Sequence, residues 1–281
     1  MKRLVLILLS FTMVYTTNAQ VETPAPSPAS KVEQKVGLTD ITLEYSRPGV
    51  KGRTIFGNLV PFGKLWRTGA NKNTMITFST DATIDGQTLK AGSYAIFTKP
   101  SKDSWEVYFY SDTENWGTPR NWDDSKVAAK TTVKTHEVPF NVETFTIDIN
   151  SISNNGATIE FIWENTYAGV PFTLPTSDLV QASIDKALSG PRANDYYSAA
   201  VYYSQEGKNL DRAKEYIEKA MGMIEKPAFW QLRQQSLIYA KLGDKKAAIA
   251  AAKKSLAGAE AAENADYVKM NEDSLKEWGA M

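Results

Sequence analysis

Apolar and polar residues alternate with a period of two through the first half of the chain, and with a helical period through the second. Within residues 31–173, Ile41, Leu43 and Tyr45 alternate with Thr42, Glu44 and Ser46, and Trp105, Val107 and Phe109 with Glu106, Tyr108 and Tyr110. The pattern returns in Phe145, Ile147 and Ile149, and again in Ile159, Phe161 and Trp163. Successive side chains of a strand point to opposite faces, so this alternation predicts strands with one buried and one wetter face. Asp85-Gly86, Ala91-Gly92, Lys99-Pro100-Ser101 and Asn154-Asn155-Gly156 mark turns between them. About eight short antiparallel strands with no helical pattern between them predict an all-β antiparallel sandwich.

The second half, residues 177–281, predicts an all-α domain. Ser177 is placed to cap a helix carrying Val180, Ile184, Ala187 and Leu188, which Gly190-Pro191 ends. Further helices are expected over 194–206, 209–223, 228–242, 244–257 and 265–278. Ala213 and Ala248 stand thirty-five residues apart, as do Ile217 and Ala252, and Tyr203 matches Tyr239 once a longer loop is allowed. Small residues at helix crossings and an aromatic on the first helix resemble the tetratricopeptide repeat, whose period is ~34 residues. Ser255 departs from that pattern, standing where alanine is usual. Two units fall short of the three or so that a solenoid needs, so the flanking helices are expected either to cap the pair or to let it dock on the sandwich. A groove for a protein or peptide partner and a helical appendage that only packs are both consistent with this pattern.

The N-terminus changes the picture from a cytoplasmic to an exported protein. Lys2 and Arg3 precede a twelve-residue, largely apolar run from Leu4 to Tyr15, and Thr17-Asn18-Ala19 supplies small residues before a cleaved bond. Residues 1–19 are therefore expected to be a signal peptide, giving a periplasmic or secreted protein. The run is too short for a comfortable membrane span, and no cysteine follows it to take a lipid, so no stable membrane anchor is expected after cleavage. Residues 20–30, with Pro24, Pro26 and Pro28 among small residues, read as a linker.

Composition then removes whole classes of chemistry. The 281 residues include 32 basic and 32 acidic side chains, no cysteine and one histidine. Disulfides, thiolate metal sites and cysteine nucleophiles are excluded, and His136 alone cannot build a multi-histidine zinc site. Scattered, balanced charge gives no footprint for nucleic acid. No phosphate-binding loop, dinucleotide fingerprint or serine elbow occurs, so no cofactor and no metal is expected.

The most informative stretch runs from Ser46 to Asn71. Pro48, Gly49, Gly52, Gly57, Pro61 and Gly63 make the chain turn repeatedly, and long irregular segments in compact domains are commonly functional or packed as Ω-loops. Gly52-Arg53-Thr54-Ile55-Phe56-Gly57, Leu59-Val60-Pro61-Phe62-Gly63 and Trp66-Arg67-Thr68-Gly69-Ala70-Asn71 are followed by Leu89-Lys90-Ala91-Gly92-Ser93-Tyr94-Ala95-Ile96-Phe97, Trp116-Gly117 and Trp163-Glu164-Asn165-Thr166. In this ordered series the segment 31–173 resembles the DUF2911 family, domains of unknown function found mainly in exported bacterial proteins. The resemblance implies the fold and export, and implies no catalytic role.

From the residues themselves, Arg47, Arg53 and Arg67 offer planar forks for a carboxylate or phosphate, and Trp66 and Asn71 complete a candidate pocket for a small anion or sugar. The blander expectation is that these arginines pair with Glu44, Glu160 or Glu164 and brace the loop. His136, in Thr135-His136-Glu137-Val138-Pro139, is the weak catalytic candidate of a rival reading, a hydrolase acting on glycans or peptides with Arg67 and a carboxylate. Glu160 and Glu164, four residues apart on an extended strand, would stand roughly 13 Å apart, too far for a glycosidase pair. Asp112, Glu114 and Asp123 only faintly echo a calcium loop, with Trp116 at a ligand position. Trp116 and Trp122 flank a loop where two exposed rings could stack on sugar, which would make the domain a carbohydrate-binding module. The leading expectation is an exported, non-catalytic binding or scaffolding protein.

Overall fold

The structure is a computed structural model and describes residues 23–188 and 190–281. The expected signal peptide at 1–19 lies outside the described residues. The chain divides after Leu174 into two compact units. No helix among the described residues is long and apolar enough to cross a membrane.

The first unit is all β. Its strands are β1 (Ala29–Val36), β2 (Thr39–Ser46), β3 (Thr74–Phe78), β4 (Ala82–Ile84), β5 (Gln87–Leu89), β6 (Gly92–Pro100), β7 (Ser104–Tyr110), β8 (Val127–Ser153) and β9 (Gly156–Thr173). Every pairing is antiparallel, and the hydrogen-bonded order is β1-β2-β3-β6-β7-β8-β9-β4-β5. The alternation expected from sequence is present: Ile41, Leu43, Trp105, Val107, Phe109, Ile147, Ile149, Ile159, Phe161 and Trp163 are all buried in one core.

The two longest strands of the sheet are irregular. β8 pairs with β7 over Val127–Lys134 and with β9 over Thr135–Ser153, and its register with β9 shifts between Glu137 and Val142 and again before Thr146. Such irregularities increase local twist and turn a strand from one layer into another. β9 folds back at Glu164, whose φ is +49°. Its ends then meet: the Leu174 amide donates to the Asn155 carbonyl at 2.8 Å, and the Tyr167 hydroxyl donates to Glu160 at 3.0 Å.

Two expectations need correction. Residues 20–30 are not linker throughout: β1 begins at Ala29, and the segment before it is fastened to the sheet. The Arg47 amide donates to Pro28 O at 2.9 Å, Lys51 Nζ to Pro26 O at 3.2 Å, and Asn71 Nδ2 to Ser27 O at 3.2 Å. The outer face of β6 and β7 is also not wet. Ala95, Phe97 and Tyr110 are buried there in a second cluster, covered by Trp122 from the 111–126 loop and by Leu65.

The second unit is six helices: α1 (Thr176–Ala187), α2 (Ala193–Glu206), α3 (Leu210–Met223), α4 (Phe229–Lys241), α5 (Lys245–Ala261) and α6 (Ala265–Glu277). Asp244 and Asn264 cap α5 and α6 by accepting from the Ala247 and Tyr267 amides, which satisfies donors left free at a helix start. Ser255 is explained by a buried polar network. Its hydroxyl donates to Phe229 O at 2.7 Å and accepts from Asn271 Nδ2 at 2.9 Å, and Asn271 also donates to Tyr267 O at 2.7 Å. Ser255 and Asn271 are fully buried, so an alanine at 255 would leave a polar group of α6 short of a partner.

Candidate functional site

The loop between β2 and β3 is held at both ends and in its middle by the sheet it crosses. The Phe145 amide donates to Pro48 O at 2.9 Å and the Val50 amide to Glu143 O at 2.7 Å, which fasten its start to β8. Trp66 and Thr98 exchange backbone hydrogen bonds at 2.7 and 2.9 Å, which fastens its end to β6. Glu164, aimed by its left-handed backbone, accepts from the Ile55 amide at 3.2 Å. So restrained, the loop inserts Ile55, Phe56 and Trp66 against the core. The Phe56 ring lies 5.1 Å from Trp105, and Trp66 lies 5.1 Å from Phe145 and stacks on Trp163 at 5.9 Å with 15° between planes.

Between this loop, the Pro26-Ser27 segment and β9 lies a pocket of about 300 Å³, small but within the range of ligand sites. Lys51, Arg53 and Arg67 line it together with Trp66 and Trp163, and no carboxylate does. The three cations differ in how far their hydrogen bonds are already spent. Arg53 donates from Nε to Val50 O at 3.0 Å and from Nη2 to Gly49 O at 2.6 Å. Lys51 Nζ makes one bond, to Pro26 O, while the Lys51 amide donates to Glu143 Oε1 at 2.8 Å. The Arg67 guanidinium has no hydrogen-bond partner among the described residues, and its Nε is buried; the Arg67 carbonyl accepts from the Thr74 amide at 3.4 Å.

The expected arginine–carboxylate pairs do not form: among the described residues none of Arg47, Arg53 and Arg67 makes an ion pair with Glu44, Glu160 or Glu164. Glu164 is spent on the Ile55 amide, and Glu160 on Asn150 and Tyr167. Arg47 lies outside the pocket, donating to Phe145 O at 3.1 Å and to Thr146 Oγ1 at 2.7 Å, so it braces the loop against β8. Asn71 is also outside; at φ +59° it ties Ser27 O to Ser46 Oγ. Arg53, Trp66 and Arg67 are brought together. Lys51 and Trp163 join them, although reading the sequence passed over both as site residues; each stands in a family motif or beside one.

The remaining candidates lie elsewhere. His136 is exposed on β8 opposite Tyr167, its ring 6.2 Å from the tyrosine ring, and it does not line the pocket. Trp122 is no free platform: it stacks on Tyr110 at 4.5 Å, packs edge-on to Phe97 and Tyr108, and donates to Asp124 at 2.8 Å. Trp116 is 79% exposed. Of the calcium-loop residues, Asp112 pairs with Lys126 at 2.7 Å and Asp123 accepts from Ser125. No cluster of metal-ligating side chains occurs among the described residues.

The most strongly shifted titrating groups are also outside the pocket. Glu106 on β7 is held down at about 2 by hydrogen bonds from Lys130 and then from Tyr108. The Tyr167 phenol is pushed up to about 12 by burial and by its hydrogen bond to Glu160. Both are explained by structural pairing on the sheet.

A family model described as a protein of unknown function (DUF2911) matches residues 27–172. Its limits coincide with the β unit, from the fastened Ser27 segment to the end of β9. Comparison with curated proteins and with solved structures finds no match.

Proposed function

We propose, for a chain that belongs to the DUF2911 family, that it is an exported, non-catalytic binding protein whose β unit holds a small anion between Lys51, Arg53 and Arg67. The observation that carries this reading is Arg67, a half-buried guanidinium without a hydrogen-bond partner among the described residues, in a pocket whose described lining holds two other cations and no carboxylate. A buried donor left unpaired is costly, and a carboxylate or phosphate oxygen would satisfy it with a charge-assisted bond. Titration calorimetry of the full chain with acetate and with inorganic phosphate tests it. Binding of at least one is expected, and Arg67→Gln is expected to weaken it by about 2 kcal/mol, roughly 30-fold, with the unfolding midpoint unchanged. Absence of binding by both anions would remove this reading.

The nine-stranded sheet is read as a sandwich closed by the bends of β8 and β9, and the helices as a short tetratricopeptide-like pair with caps. Supporting the second is that Ala213 and Ala248, Ile217 and Ala252, and Ala220 and Ser255 are equally spaced and all fully buried. A groove of about 480 Å³ runs over α2, α4 and the end of α6, lined by Gln205, Gln234, Leu237 and Trp278. Its apolar floor and amide side chains suit an extended peptide, which makes a protein partner the second part of the proposal. Recovery of one partner from periplasmic extract by the full chain, abolished by Leu237→Glu, is the expected result; the same capture by both forms would exclude the groove.

A further inference from the structure

Trp116 is the most exposed large apolar side chain among the described residues, and neither its position nor its exposure is explained by the anion pocket alone. The loop that carries it is not loosely attached. Asp112 at its start pairs with Lys126, Thr113 O accepts from Asn73 Nδ2 at 3.5 Å, and Trp122 at its end is packed into the outer cluster. Within the loop, Asn115 Nδ2 donates to Asp112 O at 3.0 Å. The indole is thus held in water by a braced loop. An aromatic side chain that buries 150–250 Å² when covered is usually covered by something.

The loop also meets the pocket at one point. A Cβ built on Gly117, the next residue, would lie 3.8 Å from Arg67 Nη1 and 4.0 Å from its Cδ. The unpaired guanidinium therefore stands between the pocket and the Trp116 loop. We propose that the ligand is a six-membered ring bearing a carboxylate, its carboxylate on Arg67 and one ring face on Trp116. This rests on the anion reading of the same pocket and narrows it. The side chains lining the pocket offer donors, from Lys51, Arg53, Arg67 and Ser27, and no carboxylate acceptor. An acceptor-rich ligand is favoured over a neutral, donor-rich one. Trp116 does not line the pocket, so the carboxylate enters it while the ring stays outside, and about 300 Å³ excludes a nucleotide-sized group from the pocket itself.

The test compares acetate, benzoate and galacturonate by calorimetry on the full chain, its Trp116→Ala variant and its Arg67→Gln variant. Because Trp116 is exposed, the first variant is expected to fold as the parent does, checked by circular dichroism. At least one ring acid is expected to bind roughly five- to tenfold more tightly than acetate, a margin typical of one aromatic contact. Trp116→Ala should erase that margin and leave acetate affinity unchanged, whereas Arg67→Gln should weaken all binding. Preference for benzoate would assign an aromatic acid, and preference for galacturonate a sugar acid. Equal affinity for all three, or a margin that survives Trp116→Ala, overturns the ring assignment while leaving the anion site standing. No binding of any of them overturns the ring-acid assignment, and the anion reading falls with it only if inorganic phosphate also fails to bind.

Discussion

Trp163→Ala is expected to destabilise the β unit by about 3–5 kcal/mol, the range for truncating a buried large aromatic, and to abolish anion binding with it. Trp163 is 1% exposed and is the surface on which the irregular loop rests: Trp66 stacks on it, Phe56 meets it edge-on at 6.2 Å, and Phe145 packs at 5.4 Å. Its indole donates to Glu143 O at 3.3 Å, the same carbonyl that accepts from the Val50 amide where β8 grips the loop. Removing the ring creates a cavity under Trp66 and removes a wall of the pocket together. Domains of this size have only about 5–15 kcal/mol in hand, so the loss is large enough to read in urea denaturation monitored by near-ultraviolet dichroism. Trp163→Phe keeps most of the volume and should cost clearly less. A loss below about 1 kcal/mol for the alanine variant would show that the loop does not depend on this ring.

The contrast between Trp163 and Arg67 separates what holds the pocket from what uses it. The first should move stability and binding together, the second binding alone. The same contrast shows what could be read from residue types. Alternation located the strands because burial of one face is a local property: the phase of Trp105, Val107 and Phe109 is set by the pleat. It failed for Tyr110, because the face it occupies is covered by a loop some residues away in sequence, which packs Trp122 on it. The cluster of cations was legible in the motif, and their partners were not. Arg47 and Arg53 bond to backbone carbonyls, which every residue carries and no pattern of side chains reveals. In the helices, α5 runs on to Ala261 where Ala257-Gly258 suggested an end. Gly258 is there for close approach: a Cβ on it would stand 3.0 Å from Phe229 Cβ, so the glycine serves the crossing of α4 and α5.

The bend of β9 was the feature least visible in sequence, and it sets the last expectation. Gly156→Ala should cost about 3 kcal/mol, at the upper end of overpacking, despite adding a single methyl group to a strand. An ideal Cβ at Gly156 would lie 2.2 Å from Phe172 O and 3.2 Å from Thr173 Cα, and both neighbours are backbone, which cannot turn aside as a side chain could. The two ends of β9 would have to separate, and the hydrogen bond from the Leu174 amide to Asn155 O would be the first to open. Hydrogen exchange should therefore show faster exchange at the Leu174 amide in the variant, while the amides where β2 pairs with β3 keep their protection. Unchanged exchange at Leu174, with stability within about 0.5 kcal/mol of the parent, would mean that β9 does not fold back on itself. The proposed sandwich would then need another cause of closure than the left-handed turn at Glu164.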